Sequence, residues 1–332
     1  MVQTKQVTAK QTPGNKISWF SLERLNQEIL LSGFLIILIL GLSLLQPDFF
    51  SGSTFLRILL DASLGVVAVV GMTHVIVSGS IDISIGAIMA ICAVTGGLLA
   101  RDGIPSPVAW LSMILLGTLL GFCNGALVAW AGIPSIIVTL GTYTVLRGLA
   151  IVISGGSWVR NLPADFYIGQ QSVLGVPVPL WLMLIVVVAG SIWLKYAPMG
   201  RQFYAVGSNR DAARLSGVGV KKIQILGFSL NGLLAGLAGL ILATRFNAIQ
   251  VNSGSGFEMT VITAAVVGGV SIMGGSGTVF GAVLGVLLLQ VISSGMVFLK
   301  VSAYWLQAVQ GFLILLAVVF DILRKRRLGE EI

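Results

Sequence analysis

The sequence predicts an all-α, polytopic integral membrane protein of about ten transmembrane helices. Three observations point there. Of 332 residues, 56% are hydrophobic and only 10% are charged, against about 25% charged in an ordinary soluble domain. Apolar runs close to the roughly 20 residues that a helix needs to cross a bilayer recur along the chain. The polar residues gather in a few short stretches between them. A soluble fold with a mean hydropathy of +0.99 could not cover itself with water-compatible surface. The runs are too long and continuous for the alternating pattern of a membrane barrel. The 42 glycines suit membrane helices, where glycine is enriched.

In chain order, residues 1–29 are polar and carry Pro13 and Gly14. The first apolar run starts near Leu30 and no small-residue cleavage site follows, so no removable signal peptide is expected. The stretch 18–25 (SWFSLERL) is expected at the membrane interface with Trp19 and Phe20 toward lipid. The predicted spans are 30–46, 55–77, 83–100, 108–131, 135–154, 179–195, 222–244, 259–273, 277–297 and 302–322, the eighth being short. This gives a cytoplasmic segment 1–29, a membrane domain 30–322 interrupted by a hydrophilic loop at 196–221, and a basic cytoplasmic tail 323–332.

Charge orients the spans. The net charge is +8, but its placement argues for a membrane rather than nucleic acid. Most of the bases fall in three places: Lys5, Lys10, Lys16 and Arg24; then Lys195, Arg201, Arg210, Arg214, Lys221 and Lys222; then Arg324, Lys325, Arg326 and Arg327. Positively charged loops stay in the cytoplasm. Six spans before the island and four after keep all three groups, and both termini, on that side of the membrane. Residues 155–179 and 245–258 then fall outside.

Glycine spacing hints at repetition. The fourth span holds Gly117, Gly121 and Gly125 in GTLLGFCNG, and the ninth holds Gly277, Gly281 and Gly285 in GTVFGAVLG. Spans five apart would make two inverted five-helix halves, a transporter plan; chance in a glycine-rich chain is the alternative. Glycines four apart, here and at Gly232 and Gly236, let helix backbones approach closely. Cys92 and Cys123 lie in apolar spans and are expected to pack rather than to bind a metal or pair.

No catalytic motif is present. There is a single histidine, His74, and no phosphate-binding GxxxxGK[ST], so neither nucleotide hydrolysis nor a cofactor is expected of the chain itself. The acids available for ion coupling within the spans are Asp61 and Asp82, with His74 as a packing residue or relay. Asp82, in SGSIDISIG, either caps the following helix or marks a break that forms part of a pathway. Asn124 and Asn231 must find polar partners at membrane depth, while Thr139 can line a wet path or bond back to its own helix. With Asp82 and Ser84 they form the candidate substrate pathway.

The hydrophilic island is the most specific feature. Within GRQFYAVGSNRDAARLSGV (200–218), a short helix is expected after an N-cap at Ser208 or Asn209, ending at Gly217. Its mixed apolar and basic residues can rest on lipid headgroups or dock in the groove of a soluble partner.

Four stretches, in order, resemble the permease subunit of bacterial ABC sugar importers of the ribose, xylose and galactose type: VIVSGSIDISIGAIMA (75–90), GIPSIIVTLGTYTVLRGLA (132–150), GRQFYAVGSNRDAARLSGVGV (200–220) and VVGGVSIMGGSGTVFGAVLG (266–285). The resemblance implies a two-permease pore (a homodimer or a pair of related chains), a cytosolic ATPase beneath it, and a periplasmic or lipid-anchored sugar-binding protein above. It makes Gly200, Arg201, Ala205, Val206, Gly207, Asn209, Ala212, Ala213, Ser216 and Gly217 the ATPase-coupling residues. A bulky acid at Gly207 or Ala213 is then expected to break ATPase binding without unfolding the permease. Ser78 and Ser80 flank Gly79 where such permeases more often carry a glycine pair. The cargo class extends from ribose-type sugars to signalling furanoses, nucleosides and branched-chain amino acids. An ion-coupled transporter and a non-transporting membrane scaffold are the competing readings.

Overall fold

The computed structural model describes residues 16–302 and 304–327, with side chains described over 27–302 and 304–319. Lys5 and Lys10, and the side chains of Trp19, Phe20, Asp321 and the 324–327 bases, lie outside the described residues. Ten helices follow the ten predicted runs: α1 (Lys16–Leu45), α2 (Gly52–Val77), α3 (Ile85–Arg101), α4 (Ser106–Trp130), α5 (Ser135–Ser154), α6 (Val178–Tyr196), α9 (Val220–Arg245), α10 (Phe257–Val267), α11 (Val279–Phe298) and α12 (Trp305–Arg327), with α7 (Pro198–Ser208) and α8 (Arg210–Leu215) inside the island. Seven are long and apolar enough to span a bilayer; Ile85–Arg101, Phe257–Val267 and Trp305–Val319 are shorter apolar helices.

Local chemistry explains the boundaries. Ser51 caps α2 by accepting from Thr54 N at 3.2 Å. Proline opens or immediately precedes α4, α5, α6 and α7, where a missing N–H costs nothing. Gly155, at φ +63°, ends α5 as a left-handed glycine does. Helix α1 begins at Lys16, ahead of the apolar run, and its candidate span Gln27–Leu45 agrees with the run expected from Leu30. The third span starts at Ile85, because SGSIDIS stays non-helical. One expectation needs correction. The eighth is an 11-residue helix, about 16 Å long at 1.5 Å per residue, roughly half a hydrocarbon core. Residues 268–278 leave the helix because Gly269, Gly274, Gly275 and Gly277 all adopt positive φ.

Helices α2, α3, α9, α10 and α11 form the interior, while α1, α5, α6 and α12 carry broad exposed apolar faces. The tightest joint is α4 on α9. A Cβ on Gly117, Gly121 or Gly232 would run into the backbone of the facing helix, so the glycines permit backbone-to-backbone packing. Packing also repeats under exchange of α2–α5 with α9–α12: α9 meets α4 as α2 meets α11, α3 meets α4 and α5 as α10 meets α11 and α12, and α2 meets α9 at the centre. The glycines do not follow this exchange, since Gly285 faces Ala264 of α10 and Gly281 faces Gly268 just past its end. Nor do the flanking helices, as both α1 and α6 pack on α11.

The loops sort to two ends. At one end Gly79, Gly207 and Gly274 touch. At the other, Val159 pairs with Ile249, and a two-stranded hairpin (Ser172–Val173 with Val176–Pro177) projects from the 155–177 segment.

Candidate functional site

The break between α2 and α3 leaves backbone N–H groups without helical partners, and backbone at membrane depth must be satisfied from within the protein. Ser135 Oγ accepts from Ile81 N at 3.2 Å and Thr139 Oγ1 from Ile83 N at 3.1 Å. Asp82 Oδ1 accepts from Ser84 N at 2.8 Å and from Ser84 Oγ at 2.5 Å. Asp82 Oδ2 accepts from Asn231 Nδ2 at 2.9 Å. Asn124 Nδ2 donates to Ser84 Oγ at 2.9 Å, and Thr142 Oγ1 donates to Asn124 Oδ1 at 2.6 Å.

All five residues singled out as pathway candidates therefore meet in one network linking the break to α4, α5 and α9. Each is buried, and they face one another rather than the cavity at this end. Asp82 forms a turn with Ser84 two residues on. The N-cap of α3 is Ser84, whose side chain makes no capping bond.

The other sequence candidates lie apart from this network, with His74 Nε2 buried and without a partner among the described residues. Asp61 Oδ1 pairs with Arg245 Nη2 at 2.5 Å. His74 Nδ1 donates to Val70 O at 2.6 Å, and its ring packs against Trp193 and Phe203. Both cysteines are free, Cys92 buried and Cys123 exposed. The expectation that Asp61, Asp82 and His74 exhaust the titratable groups for ion coupling fails. Glu258 opens α10 and is 6% exposed. Its segment was expected outside the membrane, yet Glu258 and Gly254 pack against Gly86 of α3. Arg147, midway along α5, reaches the same segment and donates from Nη1 to Ser253 O at 2.8 Å. An arginine inside TLGTYTVLRGLA and a glutamate at the start of an apolar run were the available signals.

The island is ordered as two helices. On α7, Phe203 and Val206 are fully buried and Gly200 lies on Trp193 and Leu194. Asn209 is the N-cap of α8, its Oδ1 accepting from Ala212 N at 2.9 Å, and Gly217 follows the helix at φ +81°. The ten coupling candidates thus divide. Gly200, Val206 and Ala213 are buried and Gly207 half-buried, while Arg201, Ala205, Asn209, Ala212, Ser216 and Gly217 are exposed. Leu215, one of the island's apolar residues but outside the coupling set, is 90% exposed. A side chain on Gly207 would collide with the Val77 carbonyl, so an acid there would disturb packing and is not the clean test it seemed from sequence.

The island also touches the break. Arg210 Nη2 donates to Gly79 O at 2.8 Å, three residues before Asp82. A cavity of about 490 Å³ beside this joint is lined by Ser80, the 128–135 turn, Arg210, Arg214, Val220, Lys221 and Gln224.

Comparison with known proteins agrees with this architecture. Three relatives are the autoinducer 2 import system permease protein LsrC of Photorhabdus luminescens, 40% identical over 281 residues (84% of this chain, 85% of the relative); that of Yersinia enterocolitica, 38% identical (84% and 78%); and that of Escherichia coli, 39% identical over 297 residues (89% and 87%). No solved structure matches. The family model described as "Branched-chain amino acid transport system / permease component" matches residues 54–318, and the chain belongs to this family of transport permeases.

Proposed function

We propose that this chain is the membrane permease subunit of an ABC importer that moves a small ring sugar, of the autoinducer 2 or ribose kind, across the bacterial inner membrane. The observation that carries the reading is the 38–40% identity, over more than four-fifths of the chain, to permeases named for autoinducer 2 import. ATP hydrolysis belongs to a separate cytosolic chain, solute delivery to a binding protein on the other side, and the pore to a pair of permeases, identical or related. Residues 1–29, the 196–221 loop and 323–332 face the cytoplasm in this reading, in keeping with their bases.

The geometry supports a mechanism. The exposed face of α8 and the end of α7 form the surface the ATPase grips. Their buried side (Phe203, Val206, Ala213) fixes them to the bundle. The Arg210–Gly79 bond ties α8 to the break before α3. Displacement of α8 thus pulls on a segment anchored by Asp82 to α9 and by Ser84 to α4. This is how a partner's two states are passed to the pore. In this reading the Asp82 network is a brace and not a sugar contact.

The test is uptake of autoinducer 2 and D-ribose into sealed liposomes holding the permease, its ATPase and its binding protein. ATP-dependent accumulation is expected. One observation favours a proton-driven transporter instead, the Glu258 carboxylate oxygen without a partner among the described residues. Accumulation on a proton gradient with no ATPase would select that reading. Recruitment of the ATPase with no solute flux would leave only a scaffold.

A further inference from the structure

Two charged side chains inside the bundle have hydrogen-bonding capacity left over. Arg147 spends Nη1 on the Ser253 carbonyl, while its Nε and Nη2 are shielded and have no partner among the described residues. The guanidinium lies 5.4 Å from the centroid of the Tyr143 ring, one turn earlier on α5. Glu258 Oε1 accepts from Gly256 N at 3.2 Å. Its Oε2 is shielded and unpartnered among the described residues.

The two free edges are neighbours. A Cβ placed on Gly254 would stand 3.6 Å from Arg147 Nη2, and one on Gly86 would stand 2.5 Å from Glu258 Oε2. Gly86 and Gly254 touch each other, so the first turns of α3 and α10 meet here. No ion pair joins Arg147 to Glu258 among the described residues. The position is deep: Gly254 also packs on Met89, which faces Gly239 of α9, about 9 Å below the outer end of that helix at 1.5 Å per residue.

Unsatisfied buried groups cost stability, and ionisable residues at membrane depth are retained for function. We infer that Arg147, Glu258 and Tyr143 form a recognition station for an uncharged, polyhydroxylated ring solute. Glu258 Oε2 accepts from one hydroxyl, the Nε–Nη2 edge of Arg147 donates to the oxygens of a neighbouring diol, and the Tyr143 ring covers the apolar face of the sugar. Hydroxyls both donate and accept, so one ring answers both edges, and the opposite charges leave the station neutral toward a neutral cargo. The inference rests on the import reading above and supplies its substrate contacts.

The experiment measures uptake by the complete reconstituted complex, using D-ribose, its monodeoxy analogues and L-leucine as probes. Glu258→Gln and Arg147→Gln are each expected to slow ribose uptake about tenfold, the worth of a hydrogen bond to a charged group. The penalty should vanish for the analogue lacking the hydroxyl that each residue reads, as in a double-mutant cycle. Equal penalties for every sugar, or unchanged uptake, overturn the station. So does transport of L-leucine by the parent complex that is lost in both variants while ribose uptake stays unchanged, since a zwitterion would then be the ligand. If either variant fails to assemble by size exclusion, Tyr143→Leu decides: a loss of ribose uptake confined to ring sugars supports the station, and unchanged uptake sinks it. Failure of the parent complex to accumulate any sugar with ATP would refute the import reading instead.

Discussion

The two helix breaks occupy matching places in the packing exchange, one before α3 and one before α10, and each holds a buried acid. Their chemistry differs. Asp82 has both oxygens engaged by Ser84 and Asn231, with the surrounding N–H groups answered by Ser135 and Thr139. Glu258 has one oxygen engaged and one open, beside a guanidinium in the same condition. The carboxylate of Asp82, fully engaged, fixes geometry even though Asn231 Oδ1 is left without a partner among the described residues, whereas the open carboxylate of Glu258 keeps capacity for something that arrives. Burial and charge alone do not separate the two roles; the state of the remaining lone pairs and protons does.

The largest effect should come from removing the engaged carboxylate. Asp82→Ala would strand the Asn231 amide and the Ser84 N–H, each at about 1–3 kcal/mol, and release the break from α9. The assembled fraction in detergent and the thermal midpoint should fall sharply, with Asp82→Asn milder. A variant as stable as the parent would remove the contrast between the breaks. By comparison, Glu258→Gln loses no completed side-chain network. Its thermal midpoint should fall less than that of Asp82→Ala, because the amide oxygen can keep the bond from Gly256 N and only the charge opposite Arg147 is lost, although transport falls.

The same division runs through the island. Leu215 is almost wholly exposed, and Gly207 lies against the Val77 carbonyl. Leu215→Asp should leave folding intact and weaken ATPase binding about tenfold or more, as loss of an interface anchor does; pull-down of the ATPase by the detergent-solubilised permease measures it. Gly207→Asp should instead destabilise the permease itself. Undiminished ATPase capture by Leu215→Asp would move the grip away from α8.

Most of the frame was legible in the sequence, because hydrophobic runs and loop bases report directly on a bilayer. Asp82, Ser84, Asn124, Thr139 and Asn231 were each visible as polar residues in apolar surroundings. Their convergence was not, because the bond between Asp82 and Asn231 closes across 149 positions. The eighth span was overextended because hydropathy registers the apolar residues of 268–273 but not the positive φ of Gly269, which lies among them. Glu258 and Arg147 escaped for a related reason. Glu258 stands at the edge of an apolar run, where an acid reads as a boundary in water. Arg147 is one base in an otherwise apolar helix, and only the fold brings Ser253 and Glu258 beneath it.

Gly148 provides the finest probe of the contrast, since it is covalently next to Arg147 but lies on the exposed face of α5 with nothing within 4 Å of an added Cβ. Gly148→Ala introduces a methyl group where there is room, and alanine is the better helix former by roughly 0.5–1 kcal/mol. Stability should be unchanged or slightly raised, and ribose uptake should match the parent, because neither buried cluster is touched. The melting temperature and the uptake rate measured on one preparation check both. Should Gly148→Ala reproduce the sugar-selective loss expected of Arg147→Gln, then any perturbation of α5 suffices to cause it. The free guanidinium edge would lose its claim to be what distinguishes the open break from the closed one.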